Sequence, residues 1–486
     1  MDLYGKTALV LGMGETGLSM ARWLMRLGAC VRAADSREAP PCLDTFRNIL
    51  LPDGLFTGPF SAEAFAGIDL IAISPGVPLG ERRVQHAIKN GIPVMGDMAL
   101  FAEAIRQPGT DPGIWPMVVT ITGSNGKTTV TAMVGEMMKQ AGWDVEVAGN
   151  IGPAVLDALL RRMDSGTVPQ AWVLEVSSFQ LETSNGLNAH AATVLNISED
   201  HLDRYAGMGD YAAAKARIFL NDGAEGDGSR TGWQILNRDD SIVLGMALPG
   251  RPQLTFGLSP PARDTDFSLV REGESMWLAE GNNRLMNANE LGVTGLHNAA
   301  NALAALALCR AVGLPYEPLL QALRKFRGLA HRTEKVATVC GVAFYDDSKG
   351  TNVGATVAAL KGMGQNVVLI AGGDGKGQDF SPLAKPVAEH ARAVVLIGRD
   401  AERIASAIQG CGVSLHRAET MEEAVQQSFR VARPGDAVLL SPACASFDMF
   451  RNYAHRAEEF VKAVERVQAS DIQDPDSLAT QEACGC

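Results

Sequence analysis

The stretch VTITGSNGKTTV, residues 119 to 130, decides the fold of the central part of this chain. A strand-like apolar segment enters a glycine-rich turn and a helix-like segment leaves it, which is typical of a phosphate-binding loop. In such a loop Lys127 would reach the β and γ phosphates of a nucleotide, and the Thr128 hydroxyl would bind Mg²⁺. Ile121 replaces the first glycine of the usual G-x-x-x-x-G-K-[ST] pattern, so we expect Ile121 to belong to the buried strand and the loop to be short. A purely structural turn is disfavoured, because Gly, Lys and Thr fall together at a strand-to-helix joint.

The length and composition indicate a multidomain globular protein. The 486 residues exceed one ordinary core and predict about three domains. A net charge of -12 argues against non-specific nucleic-acid binding, so phosphates must be held by local cations and backbone N–H groups. Eight cysteines lie without C-x-x-C pairs, which favours reduced thiols in a cytosol. The sequence shows neither a signal peptide nor about 18 continuous apolar residues, so we expect a cytoplasmic protein that does not span a membrane.

Apolar strand-like runs alternate with helical stretches along the chain. Buried strands separated by helices predict parallel sheets covered on both faces, an α/β fold. The runs are TALVLGMG, CVRAAD and LIAISPG, then MVVTITG, AWVLEVSS and AATVLNIS, then NVVLIAGG, AVVLIG and AVLLSP. Strand-like pieces between 233 and 295 are expected to form an added small sheet.

Two segments look like domain boundaries. RQPGTDPGIWP, residues 106 to 116, is rich in Pro and Gly, and FRGLAHRTEKV, residues 326 to 336, ends a helical pattern. The predicted units are three domains over residues 1–107, 108–328 and 329–468, and a polar, disordered tail over 469–486.

The first domain carries a dinucleotide-type fingerprint. Gly12-x-Gly14-x-x-Gly17 follows one strand, and Asp35 ends the next. Glycines at a helix N-terminus let the backbone approach a diphosphate, which is present both in NAD and in a UDP-sugar. The cluster of Asp35, Ser36 and Arg37 could hold a uracil ring, a phosphate or a ribose, and a tight turn that binds nothing is a further alternative.

The second domain offers further polar groups near the phosphate loop. Glu175 ends the apolar strand AWVLE, where a carboxylate is a natural Mg²⁺ ligand. His201 follows another strand, and Lys215 lies on the next helix. Taken alone, each of these two residues is more typical of a core or solvated position.

Nine motifs in one order resemble the Mur ligases of peptidoglycan synthesis. They are GSNGKTT, AGNIG, LEVSSFQLE, NISEDHLDRY, HNAANALAA, HRTE, DDSKGTN, GGDGKG and SPACASFDMF. The resemblance spans about residues 1 to 465 and implies a Rossmann-like domain for the UDP part, a P-loop ATPase domain and a Rossmann-like domain for the amino acid. It implies that ATP converts the alanyl carboxylate of UDP-N-acetylmuramoyl-L-alanine to an acyl phosphate, which the amine of D-glutamate attacks through a tetrahedral intermediate.

The same resemblance assigns residues to ATP, metal and catalysis. It implies two Mg²⁺ ions and a carbamate on Lys215, which would turn this cation into an anionic ligand. The residues assigned to ATP are Gly123, Ser124, Asn125, Gly126, Lys127, Thr128, Thr129, Asn298, Asn301, Arg332 and Asp347. The metal set is Thr128, Glu175, His201 and Lys215, and the catalytic set is Lys127, Glu175, His201 and Lys215. Helix capping is the competing interpretation for Asn298.

Two further sets concern the substrates. The residues assigned to the UDP substrate are Gly14, Glu15, Thr16, Asp35, Ser36, Arg37, Ser74, Gly76 and Asn150. The residues assigned to D-glutamate are Lys349, Thr351, Lys376, Ser446, Phe447 and Tyr453. Phe447 stands where the family usually has Leu and Tyr453 where it usually has Phe, which leaves the shape of the pocket open. The expected partners are these substrates and ATP, without nucleic acid or membrane, and the expected state is a monomer.

Three other functions remain possible from the sequence. A related ligase could add another amino acid, such as L-alanine, diaminopimelate, lysine or a dipeptide, or glutamate to folate. A nicotinamide oxidoreductase could use the first fingerprint, although it would leave the phosphate loop and Glu175 without a purpose. A nucleotide-binding regulator would bind ATP without turnover.

Overall fold

The computed structural model describes residues 2–106, 116–184, 187–220 and 232–473. The chain divides into two compact units. The first contains Met1–Ile197, Asp210–Met286 and Asn301–Leu323, and the second contains Ser198–Gly209, Asn287–Ala300 and Arg324–Cys486. The strands of the described ranges form three sheets. The predicted domain bounds stay predictions. Residues 469–473 of the predicted tail 469–486 belong to the last helix, which ends at Gln473, and the rest of the tail lies outside the described residues.

The first sheet is parallel and belongs to the first unit. Its order is β3-β2-β1-β4-β5, which is the Rossmann-like arrangement that the sequence predicted. The strands are β1 Thr7–Leu11, β2 Cys30–Asp35, β3 Leu55–Thr57, β4 Leu70–Ile73 and β5 Val94–Met95. The helices are α1 Glu15–Arg26, α2 Leu43–Ile49, α3 Arg82–Lys89 and α4 Asp97–Ile105.

The second sheet has the order β14-β13-β12-β11-β10-β9-β6-β8-β7. Its strands are β6 Met117–Thr122, β7 Val145–Gly149, β8 Ala171–Glu175, β9 Ala191–Val194, β10 Trp233–Asn237, β11 Gln253–Gly257, β12 Phe267–Glu272, β13 Ser275–Glu280 and β14 Asn283–Asn287. The prediction of a separate small sheet was wrong, because β10 pairs directly with β9, from Trp233 opposite Ala191 onward, and so continues the ladder. The helices are α5 Lys127–Gln140, α6 Val155–Asp164, α7 Ser178–Glu182, α8 Met208–Ala216, α9 Ser241–Leu244, α10 Leu296–Ala311 and α11 Tyr316–Lys325.

The third sheet belongs to the second unit and has the order β15-β16-β20-β17-β18-β19. Its strands are β15 Glu334–Val339, β16 Val342–Asp346, β17 Val367–Gly372, β18 Ala391–Ile397, β19 Ser414–Arg417 and β20 Ala437–Leu440. β15 and β16 form an antiparallel hairpin, and the other neighbours are parallel. The helices are α12 Val353–Gly362, α13 Ala384–His390, α14 Ala401–Ala407, α15 Met421–Val431 and α16 Tyr453–Gln473. None of the helices in the described ranges is both long and apolar enough to cross a bilayer.

The first two sheets share one hydrophobic core. Trp23 of α1, Phe101 of α4 and Trp172 of β8 are buried in the same cluster, and the rings of Phe101 and Trp172 meet edge to face at 4.9 Å. Burying aromatic side chains of this size supplies most of the free energy that holds two layers together. The ion pair between Arg26 and Asp164 lies at the exposed rim and adds little.

A buried polar contact joins α4 to α7 within this core. The amide nitrogen Nε2 of Gln180 donates to Oδ2 of Asp97 at 2.8 Å, and both side chains are buried. Burial raises the pKa of Asp97 to about 6, although the bond from Gln180 lowers it in part. A Cβ on Gly96 would lie 2.2 Å from Oγ1 of Thr183, so the two helix ends touch without room for a side chain there.

Asp97→Asn should stabilise the protein at alkaline pH. The pKa of Asp97 in the folded protein lies above its value in the unfolded chain. The protonated carboxyl therefore makes its full contribution to the free energy of unfolding below about pH 4, and this contribution is lost as the pH rises through about 6. Asn keeps an acceptor for Gln180 without the charge. The Tm of the variant should therefore exceed the wild-type Tm by several degrees at about pH 8 and match it near pH 4.

Thermal unfolding across this pH range measures the effect. Asp44→Asn is the control, because its exposed carboxylate pairs with exposed Arg47 and should give little difference at any pH. A Tm difference for Asp97→Asn that stays constant from pH about 4 to 8 would contradict the assignment of a raised pKa.

Candidate active site

The phosphate loop joins β6 to α5, as the sequence predicted. Ile121 is fully buried in β6, opposite Glu175 of β8, so the strand extends to the position of the missing glycine. Gly126 precedes α5 with a φ of 83°, and a Cβ there would lie 2.6 Å from Oδ1 of Asn301. Gly123 has a φ of 152°, and its Cβ would meet Leu195 at 3.0 Å. Only glycine fits both turns without strain.

Asn196 holds the loop from the end of β9. Its backbone oxygen accepts from the N–H of Ser124 at 2.9 Å, and its Oδ1 accepts from the N–H of Asn125 at 2.8 Å. Its Nδ2 donates back to the oxygen of Asn125 at 3.1 Å. These bonds fix the loop where the N-terminal N–H groups and dipole of α5 favour an anion.

Two lysines donate to one carbonyl oxygen of the loop. Nζ of Lys127 lies 2.8 Å and Nζ of Lys215 lies 2.9 Å from the oxygen of Gly123. Lys127 also donates to the oxygen of Ser124, and buried Lys215 packs 4.6 Å from the ring centroid of Tyr211. The Tyr211 hydroxyl in turn contacts Oγ of Ser124 at 3.1 Å. The loop thus concentrates positive charge at the position where phosphates are expected.

Glu175 ends β8 beside the loop and has a vacant acceptor. Its Oε1 accepts from Nδ2 of Asn150 at 2.6 Å, and its backbone oxygen accepts from the N–H of Asn150 at 2.8 Å. Its buried Oε2 has no hydrogen-bond partner among the described residues. A buried carboxylate oxygen of this kind is costly unless a cation or donor meets it. Glu175 therefore fits a Mg²⁺ ligand, with the Thr128 hydroxyl on the first turn of α5 as a second oxygen donor.

A cavity of about 630 Å³ lies in the first unit, where the first two sheets meet. All nine residues predicted for the UDP substrate line it: Gly14, Glu15, Thr16, Asp35, Ser36, Arg37, Ser74, Gly76 and Asn150. Eight of them lie at or just after the ends of β1, β2 and β4, near the point where the strand order of the first sheet reverses and open sheets bind ligands. Asn150 follows β7 of the second sheet. A Cβ on Gly14 would meet no atom within 4 Å, so this turn leaves room for close approach of a ligand.

Asp35 supports the turn of the first domain. Its carboxylate accepts from the N–H of Met13 at 2.7 Å and from three nitrogens of Arg37, at 2.7 to 3.0 Å. Burial alone would raise the pKa of Asp35, but these hydrogen bonds outweigh it and hold the pKa below its ordinary value. A carboxylate offers about four acceptor positions. These contacts fill them, so Asp35 is badly placed to bind a ribose hydroxyl.

The second unit places the predicted nucleotide residue Asp347 in a buried network. Burial raises the pKa of Asp347 to about 7, and the Ser441 hydroxyl donates to its Oδ2 at 2.7 Å. His331 lies beside this network in the fold, and its Nδ1 contacts Oδ2 of Asp346, the neighbour of Asp347 in the chain, at 2.7 Å. His331, Glu334 and Asp346 have ligand atoms within 4.8 Å of one another and could hold a divalent cation. Arg332, which follows His331 in the sequence, contributes a positive charge near Asp347.

The predicted amino-acid residues Lys349 and Tyr453 lie in direct contact. Nζ of Lys349 lies 3.6 Å from the ring centroid of Tyr453, a cation–π contact. Nζ of Lys376 lies 4.0 Å from Oδ1 of Asp200, whose Oδ2 accepts from Nδ2 of Asn352. Both pairs lie within the second unit.

The other predicted residues of the second unit differ in exposure. Ser446 is buried, whereas the Phe447 ring is 73% exposed and can meet a ligand. Thr351 is partly buried and donates its N–H to the oxygen of Lys349. His201 has a φ of 56° and begins a turn to Tyr205.

Asn298 and Asn301, the two residues of α10 that were assigned to ATP, have different surroundings. Asn301 reaches the phosphate loop at Gly126. Asn298 lies inside α10 and donates Nδ2 to the oxygen of Thr294 at 2.7 Å, so it is not the N-cap residue. These placements leave the ligand roles as predictions.

Three supporting residues were missed by the sequence reasoning. Asn196 begins the motif NISEDHLDRY, just after a strand. Glu175 was singled out because it is a polar residue at a strand end, and the same reasoning applies to Asn196. Gln180 lines the 630 Å³ cavity and forms a capping box at the start of α7 with Ser177. Arg456 is buried and donates to Ser348 and to the oxygen of Cys444, and burial lowers its pKa to about 10. The S-x-x-Q spacing of Ser177 and Gln180 is a capping-box signal that could have identified Gln180, whereas no local pattern identifies Arg456.

Family models match the chain in three consecutive segments. The Mur ligase MurD-like N-terminal domain matches residues 6–96, the Mur ligase middle domain 121–309 and the Mur ligase glutamate ligase domain 331–444. The chain belongs to the Mur ligase family. The resemblance stated from the motifs and the predicted three-domain α/β fold of this Mur ligase are confirmed.

Relatives and solved structures extend this comparison. A UDP-N-acetylmuramoylalanine--D-glutamate ligase of Nitrosospira multiformis is 67% identical over 470 residues, which cover 97% of each chain. A ligase of the same name from Nitrosomonas europaea is 59% identical, over 96% of this chain and 98% of the relative. The UDP-N-acetylmuramate-alanine ligase MurC of Thermotoga maritima, at 19% identity, shares the fold with a TM-score of 0.57, over 96% of this chain and 99% of that one.

Gly126→Ala should weaken both the loop and nucleotide binding in this Mur ligase. A left-handed φ costs a residue with a Cβ about 1–2 kcal/mol, and the new methyl group would also displace Asn301. We expect a lower Tm and a loss of ATP affinity of about tenfold or more, measured by calorimetric titration.

Gly80→Ala is the matched control, because a Cβ there meets no atom within 4 Å and its φ is not left-handed. Equal ATP affinity in wild type and Gly126→Ala would show that the loop tolerates the side chain and would contradict the geometry.

Proposed function

We propose that this Mur ligase joins D-glutamate to UDP-N-acetylmuramoyl-L-alanine in an ATP-dependent reaction of the cytoplasm, acting as a monomer. One observation carries the proposal: a two-lysine phosphate loop and the Glu175 carboxylate lie beside a cavity lined by every residue expected to bind the UDP substrate. The names of the relatives, at up to 67% identity over nearly the whole chain, support D-glutamate as the amino acid.

The chemistry requires activation of a carboxylate. In the proposed reaction an oxygen of the alanyl carboxylate attacks the γ-phosphorus of ATP, and the bond to the ADP oxygen breaks. The amine of D-glutamate then attacks the carbonyl carbon of the acyl phosphate, loses a proton, and expels phosphate from the tetrahedral intermediate. Lys127, on the first turn of α5, would offset the charge that develops on the transferring phosphoryl group.

The metal and the modified lysine extend this proposal. Mg²⁺ supplies charge neutralisation for phosphoryl transfer when bound, and Glu175, Thr128, His201 and a carbamate on Lys215 are the proposed ligands. Unmodified Lys215 donates to the same oxygen as Lys127, so the two like charges lie close together, with Lys215 buried and Lys127 partly buried. A carbamate would replace that repulsion by attraction and provide oxygen ligands for the second of two ions.

The substrate roles follow the division of the chain. Asn150 would contact the muramoyl part, because it lines the cavity and also holds Glu175. Lys349, Thr351, Lys376, Ser446, Phe447 and Tyr453 of the second unit are the proposed contacts for D-glutamate. The ammonium groups of Lys349 and Lys376 suit its two carboxylates. Asn298, Asn301, Arg332 and Asp347 remain the proposed contacts for the rest of ATP.

Release of phosphate from ATP tests the proposal. We expect release only when UDP-N-acetylmuramoyl-L-alanine and D-glutamate are both present, and little with L-glutamate, because amide formation frees phosphate from the acyl intermediate. Release that needs another amino acid would refute the assignment to D-glutamate. Release that needs neither substrate would fit the rival regulator or an uncoupled ATPase.

Lys215→Ala should lose most activity and regain part of it in acetate. The small carboxylate can take the place of the proposed carbamate beside the loop. The measurement is phosphate release against acetate concentration. Lys127→Ala is the control, since its proposed role needs a positive charge, and acetate should not restore it. Absence of any rescue in a folded Lys215→Ala protein would contradict the carbamate.

A further inference from the structure

We propose that Asp97 is a positioning residue, which holds Gln180 so that the wall of the UDP cavity and the Glu175 end of β8 keep one geometry. The proposal rests on the function proposed above, since it assigns the cavity to the UDP substrate. Asp97 is only 2% exposed and does not line the cavity, so it acts through another side chain.

A hydrogen bond between Gln180 and Asp97 joins the layers of the first two sheets. Asp97 opens α4, the last helix of the first sheet's layer, and Gln180 lies on α7, which follows β8 of the second sheet. Nε2 of Gln180 donates to Oδ2 of Asp97 in a buried place, where loss of the acceptor would leave that nitrogen unsatisfied. The contact of Gly96 with Thr183 leaves the helix ends no room to re-pack.

Gln180 is also linked to Glu175, the proposed metal ligand, through Ser177. Oε1 of Gln180 accepts from the backbone N–H of Ser177 at 3.0 Å and from its hydroxyl at 3.1 Å. Ser177 follows Glu175 by two residues and is the N-cap of α7. The Gln180 amide therefore spans two polar groups: Asp97 fixes its nitrogen, and its oxygen fixes the turn that leaves Glu175.

The cavity wall includes the same Gln180 side chain. Gln180 and Asn150 both line the cavity, and Asn150 donates to Oε1 of Glu175. If the Gln180 amide rotates, the wall and the strand end lose their support together. We therefore expect binding of the UDP substrate and the requirement for Mg²⁺ to change together.

The test compares Asp97→Asn with Asp97→Leu. Both side chains are neutral and similar in size to Asp, but only Asn offers an acceptor to Nε2 of Gln180. We expect Asp97→Leu to raise the KM for UDP-N-acetylmuramoyl-L-alanine and the half-saturating Mg²⁺ concentration by about tenfold, the scale of one lost buried hydrogen bond. The KM for D-glutamate should not change, and Asp97→Asn should stay within about threefold of wild type.

Calorimetric titration with UDP-N-acetylmuramoyl-L-alanine separates the possible failures. A wild-type protein that does not bind it refutes the proposed function. A wild type that binds, together with an Asp97→Leu variant of equal affinity and equal Mg²⁺ requirement, refutes the positioning role. A rise in all three constants would indicate a general structural defect and would also overturn it. If Asp97→Leu does not fold, Asp97→Ala provides the same comparison.

Discussion

Two lysine ammonium groups donate to the carbonyl oxygen of Gly123, and the rest of the site depends on how this positive charge is held. Lys127 comes from the helix that leaves the loop, and Lys215 comes from a separate helix. Buried like charges are tolerated only when backbone oxygens, an aromatic face or an anion compensate them. The loop oxygens and the Tyr211 ring supply part of this compensation. A bound phosphate or a carbamate would supply more, so the loop is suited to gaining negative charge.

The strands and the phosphate loop could be predicted because their determinants are local. Apolar runs, a glycine that needs a left-handed φ and a lysine at a helix start all fall within a few residues of each other. The continuation of the central sheet through β10 could not be predicted in this way. It depends on the pairing of Trp233 with Ala191 across the sheet, and the same strand pattern would suit a separate sheet.

The supporting contacts show the same limit at the site. Gln180 and Asp97 are 83 positions apart, and Arg456 and Ser348 are 108 apart, so no spacing in the sequence connects them. The residues that line the 630 Å³ cavity were predicted in part from the glycine fingerprint and the acid at the ends of two strands, and for the rest from the resemblance to the Mur ligases. Asp97, Gln180 and Arg456 lie in helices, and the contacts that give them a supporting role join them to distant parts of the chain.

The hydrogen bonds of Asp35 distinguish between NAD and a UDP-sugar as the ligand of the first domain. The glycine fingerprint alone suits both. A nicotinamide site needs the acid that follows the second strand to accept a ribose hydroxyl. The Asp35 carboxylate instead accepts hydrogen bonds from Arg37 and from the N–H of Met13. The diphosphate can still approach the open face of Gly14, so the turn keeps the part of the fingerprint that NAD and a UDP-sugar share. Because Asn150 closes the other side of this cavity while it holds Glu175, a ligand seated there would lie next to the carboxylate proposed to hold the metal. Phosphorylation of a substrate carboxylate needs the ligand to lie this close to the metal. Transfer of a hydride does not need this proximity.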